Sequence, residues 1–135
     1  MKRFAFLTAL VAVFAMSVPS LAQDHSSLAP ADQYFGRMKM SILGIRNTIH
    51  DMDVRASYQA PSDVQYIYNK LLLVEDALRD WQAKYPHDTW IPKMTYGLAM
   101  VYKKLPLDDA QVHMNDQLDW LTASYPHSDE AAFPR

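Results

Sequence analysis

Trp81-Gln82-Ala83-Lys84-Tyr85-Pro86-His87-Asp88-Thr89-Trp90 closes one helical pattern and opens the next, and its centre returns forty residues later. The triplet Tyr-Pro-His stands at Tyr85–His87 and again at Tyr125–His127. Around it Ala83 repeats as Ala123, Leu78 as Leu118 and Asp76 as Asp116. A period of this size marks a two-helix unit used more than once. The residue before a proline is pushed out of the α region, so each triplet ends a helix.

The helix that Pro86 ends begins at Pro61. Val64, Ile67, Leu71, Val74, Leu78, Trp81 and Tyr85 step alternately by three and four, the spacing of one helical face. Tyr68 and Leu72 widen that face, so the helix is expected to pack on two neighbours. Asp88 is placed to cap a third helix, with Pro92 tolerated in its opening turn. Trp90, Met94, Leu98, Val101 and Leu105 line one side of it, and Pro106 ends it. Asp108 or Asp109 starts a fourth, whose buried side reads Ala110, Met114, Leu118, Leu121 and Tyr125. Ser128-Asp129-Glu130 is a further helix start that Pro134 cuts short. Upstream, Pro30 and Asp32 suit a first turn. The spacing of Phe35, Met38, Ile42, Ile45, Ile49 and Met52 predicts a helix from about Ala31 to Met52. Gly36 and Gly44 would each cost that helix about 1 kcal/mol against alanine, which a close crossing by a neighbour would justify. Asp53–Ala60 then reads as a connection. With three glycines and no Val/Ile/Thr alternation, strands are not expected. The pattern predicts an all-α domain of four antiparallel helices, as a bundle or a short stack of helical hairpins.

The ends of the chain carry their own signals. Lys2 and Arg3 precede an apolar run from Phe4 to Val18, and Ser20-Leu21-Ala22 supplies small residues for a peptidase. This is the pattern of a secretory signal peptide over 1–22, too short for a membrane span. The expected divisions are that signal, a loose arm over 23–30, a helical domain over 31–127 and a tail over 128–135. A periplasmic or secreted location follows, with no membrane span after cleavage. With no cysteine there is neither a disulfide nor a lipid attachment point. Without Lys2 and Arg3 the chain has 11 basic and 15 acidic residues, a formal charge of −4. The two signs alternate along the chain, so no nucleic-acid footprint is expected.

Little in the sequence points to chemistry. No nucleophile elbow, zincin helix, phosphate-binding loop or dinucleotide turn is present. Asp108, Asp109, Asp116 and Asp119 read as helix starts and solvated faces. The expectation is a protein without catalysis or cofactor. Among the histidines, the spacings His50/Asp53 and Asp109/His113 each give only two of the three or four ligands a closed metal site wants. His87 and His127, at helix ends, can bond the last free carbonyls. His25 differs: after cleavage at Ala22 it would stand third from a free amine, where amine, two amides and imidazole form the square-planar set copper(II) prefers. The alternative function is therefore a small periplasmic metal- or haem-binding bundle. Met38, Met52, His50 and His113 supply the residue types for haem, although the methionines also continue the apolar stripes.

Leu98-Ala99-x-x-Tyr102 resembles the first-helix core of a tetratricopeptide repeat, with Ala110 and Met114 near the second-helix positions. The Tyr-Pro ending followed at once by a new helix is similar to tetratricopeptide-like units of periplasmic outer-membrane-assembly proteins. The resemblance covers roughly Leu78 to His127. It departs at Thr95, where the family prefers tryptophan, at Ala110, which comes one residue early, and in lacking the acylated cysteine. It implies a protein-interaction adaptor that binds another envelope protein or peptide. Counting from the same motif, the inner groove would be lined by Lys93, Tyr96, Met100, Lys103 and Lys104. That set suits an extended peptide with an acidic group.

Overall fold

Each Tyr-Pro turn ends a helix, and the two turns are nearly superposable in their bonding. The computed structural model describes residues 28–58 and 60–133. Its four helices are α1 (Ile42–Tyr58), α2 (Val64–Lys84), α3 (Trp90–Lys103) and α4 (Asp108–Ser124). A 3₁₀ turn, Pro61–Asp63, leads into α2, and another, Asp129–Ala132, follows α4. Tyr85 and Tyr125 leave the helix with φ/ψ of −135°/66° and −133°/55°. Their amides donate back to the carbonyls of Trp81 and Leu121, both at 2.8 Å. Three residues on, the amides of Asp88 and Ser128 donate to the tyrosine carbonyls at 3.1 and 3.0 Å. The side chains of Asp88 and Ser128 then each accept from the segment that follows, at Trp90 N and Ala131 N. Last-turn carbonyls are thus satisfied by the backbone. His87 and His127, expected to take them, are exposed and make no hydrogen bond among the described residues.

The architecture is all-α, with α3 at the centre, packed against α1, α2 and α4. The stripe expected for α2 is buried at Ile67, Leu71, Val74, Leu78 and Trp81. In α3, Leu98, Ala99 and Tyr102 are buried, as are Met94, Val101 and the following Leu105. Trp90, expected on that side, is 44 % exposed, because it stands in the first turn beyond the core. In α4, Ala110, Leu118 and Leu121 are buried, and so is Gln117, which its polar type had hidden. No helix among the described residues is long and apolar enough to cross a membrane.

The first helix is the main departure from expectation. It begins at Ile42, not Ala31, and continues through most of the segment 53–60 expected to be a connection. Before it, β1 (Tyr34–Phe35) pairs antiparallel with β2 (Met40–Ser41), joined by a turn with Gly36 at φ +68° and Lys39 at φ +50°. The reason lies in α2. The amides of Gly36 and Arg37 donate to Asp80 Oδ2 and Asp76 Oδ2, both at 2.8 Å. A Cβ at Gly36 would lie 2.8 Å from Ala77 Cα, so only glycine lets the turn sit on α2. Phe35 reaches the core from this hairpin, stacked on Trp81 at 5.2 Å and edge-on to Tyr85 at 6.1 Å. Met38, read as the next member of the stripe, lies in the turn and is 60 % exposed. Ser41 then starts α1, its Oγ accepting from Gly44 N at 3.0 Å. The expected signal peptide, His25 and most of the expected arm lie outside the described residues.

Candidate functional site

The groove expected along α3 lies on its seam with α1. Gly97 leaves room there: a Cβ at this position would only just touch Ile49, at 3.5 Å. Along the seam runs a cleft of about 710 Å³ whose walls include Lys93, Tyr96 and Met100 of α3 and Arg46, Asn47 and His50 of α1. Ile49, Met94 and Val101, all buried, supply apolar surface to it. Arg46 and Lys93 form no ion pair among the described residues. They therefore offer two uncompensated cations, one from each helix, above an apolar strip.

Of the five α3 positions expected to line the groove, three do so. Lys103 is exposed and does not line the cleft. Lys104 falls one residue past the end of α3 and reaches across to α1, where its Nζ lies 2.7 Å from Asp53 Oδ1 and 2.9 Å from Ser57 Oγ. Asp53 lines the cleft, so this ion pair neutralises its acidic wall. Arg46, His50 and Asn47 were missed because nothing in local spacing announces which face of α1 meets α3. Beside the cleft, Tyr96 contacts the ring of Phe133 at 5.1 Å, which brings the last described residue against α3.

A second polar cluster joins α2 to α3 and α4. Glu75 Oε2 accepts from the Tyr102 hydroxyl at 3.2 Å and lies 2.9 Å from His113 Nδ1. Tyr102 and His113 stack at 5.3 Å, and Tyr68 meets both edge-on. Burial, then the Glu75 charge, pushes the Tyr102 hydroxyl far above the usual phenol range. Burial also raises Tyr68, helped by Asp109 and Glu75. One carboxylate oxygen thus holds Tyr102 and His113 together across three helices, which is the pattern of a structural tie.

The residues considered for metal or haem are dispersed over other roles. Asp53 is engaged by Lys104 and His113 by Glu75. Met52 is buried in the core, while His50 is exposed on the cleft wall. Among the described residues no group of three or more His, Asp and Glu could hold a metal ion. No family model, curated protein or solved structure matches the chain.

Proposed function

We propose that the protein is an exported helical adaptor, without catalysis of its own, whose α1–α3 cleft binds an extended acidic segment of another envelope protein. The observation that carries this reading is the pair Arg46 and Lys93, cations unpaired among the described residues, on facing helices over apolar surface, in a chain whose net charge is −2. A ligand bearing carboxylates would gain both cations, while leucine or phenylalanine side chains would cover Ile49, Met94 and Met100. Apolar contact supplies affinity, and charge supplies orientation and encounter rate. Export is supported by the charged start, apolar run and small-residue site of residues 1–22. Likeness to tetratricopeptide units rests on Leu98, Ala99 and Tyr102 and adds the expectation of a protein partner.

The test uses two labelled peptides, one alternating glutamate with leucine and phenylalanine, the other with lysine in place of glutamate. Fluorescence anisotropy should show binding of the acidic peptide alone, weakening as salt is raised. The double change Arg46→Glu and Lys93→Glu should abolish it while leaving thermal melting nearly unmoved, since surface changes usually shift stability by under about 0.5 kcal/mol. Lys103→Glu, outside the cleft, should bind nearly as well as wild type. Equal binding of both peptides, or of neither, overturns the assignment.

A further inference from the structure

At the end of the molecule where the α1–α2 and α3–α4 connections meet lies a second cavity, of about 430 Å³. Three of its walls, Ala56, Ile67 and Leu105, are buried core residues, so it opens onto the core itself. Ala60, Pro61, Val64, Pro106 and Leu107 complete the apolar surround. Among the described residues, its only polar side chains are Gln65 and Lys104. Lys104 is the same residue whose ammonium is held by Asp53 and Ser57. The ion pair therefore separates this cavity from the cleft, with Asp53 facing the cleft and Lys104 the cavity.

We propose that this cavity binds the hydrocarbon chain of a single-chain anionic amphiphile, with its head group on Lys104. The volume falls within the range of small-molecule sites. A methylene takes up roughly the space of a water molecule, about 30 Å³, so the cavity accommodates a chain of about a dozen carbons. A peptide is the wrong occupant, because each residue entering would bring an N–H and a C=O, and two polar side chains cannot answer them. A hydrocarbon chain brings none. The head-group assignment rests on donor arithmetic. An ammonium has three N–H donors, and Asp53 and Ser57 take two. The third is available to a carboxylate or phosphate at the mouth. This reading is independent of the peptide cleft, and its test does not involve Arg46 or Lys93.

Titration calorimetry with dodecanoate, below its micelle concentration, should show one saturable site. Shortening the chain should weaken binding by about fourfold for each methylene removed. Dodecanol should bind several-fold more weakly than dodecanoate, and Lys104→Met should erase that difference while retaining dodecanol. Lysophosphatidylglycerol, run in parallel, distinguishes a lipid from a free fatty acid as the source of the anionic head, the tighter of the two naming it. Val64→Trp should fill the cavity and abolish binding. Should that variant not fold, amide chemical shifts of the wild type decide instead: dodecanoate should move residues 64–67, Lys104, Leu105 and Leu107 and leave 46–50 unmoved. Absence of saturable binding, equal affinity for dodecanol and dodecanoate, or shifts centred on the α1–α3 cleft would each overturn the proposal.

Discussion

A single carboxylate, Asp88, joins three segments. Its Oδ2 accepts from the Trp81 indole at 3.0 Å and from Ala29 N at 2.8 Å, and its Oδ1 accepts from Trp90 N at 3.0 Å. It is 1 % exposed. Hydrogen bonds to a charged group contribute about 1.5–3 kcal/mol each and are not additive. Asp88→Ala should therefore cost about 3–5 kcal/mol in urea unfolding, since it also strands the indole N–H in the core. Asp88→Asn keeps one acceptor oxygen and should fall between wild type and alanine. A change below about 0.5 kcal/mol for alanine would mean the network carries no stability. The capping role of Asp88 was legible in the sequence, from its place ahead of an apolar helix. Its bond to Ala29 was not, because 59 residues separate the pair and no local spacing encodes that contact.

Two glycines at helix interfaces make opposite predictions about their elements. At Gly36 both the left-handed backbone and the approach of Ala77 forbid a side chain. Gly36→Ala should cost about 1–3 kcal/mol for the conformation alone, and more as the hairpin is lifted from α2. At Gly97 the backbone is helical and the nearest atom is at ordinary contact distance. Gly97→Ala should be neutral or stabilising by up to about 1 kcal/mol, the difference in helix propensity. Thermal melting of the two variants checks both signs, and a stable Gly36→Ala would show that the hairpin adds nothing. Helices α2, α3 and α4 were readable because proline ends and apolar steps agreed. The start of α1 misled because Phe35 and Met38 extend the stripe by coincidence. Phe35 is buried from a hairpin rather than a helix, and the competing signal, Ser41 with its bond to Gly44, is a single residue.

At the scale of the molecule, the tyrosines set the alkaline limit of the fold. Burial holds Tyr102 and Tyr68 above the usual phenol range and pushes Tyr125 up to about 12. An unfolded chain releases these protons near pH 10, whereas the folded chain keeps them. The unfolded state then binds fewer protons, so stability falls as pH rises. The loss should begin near pH 10 and, for Tyr125, continue to about 12. Melting temperature against pH should be flatter above pH 10 for Tyr102→Phe than for wild type. An unchanged slope would remove Tyr102 from the account. The cleft was only half legible at this scale. Positions 93, 96 and 100 could be counted along α3, but its far wall is α1, and helix pairing is a tertiary fact. Lys104 was counted with them but turns away to Asp53 and Ser57, because α3 ends at Lys103.

The stacking of Phe35 on Trp81, with the indole N–H on a carboxylate, has an optical consequence. The hairpin and the Asp88 network meet on one chromophore that is wholly buried. Trp90 is already 44 % exposed, and Trp120 lies under the Arg79 guanidinium at 3.7 Å. Lifting the hairpin would wet Trp81 while the four helices stayed formed. Emission would then move to the red ahead of any loss of far-ultraviolet dichroism, so undocking of residues 34–41 can be followed in the unlabelled protein.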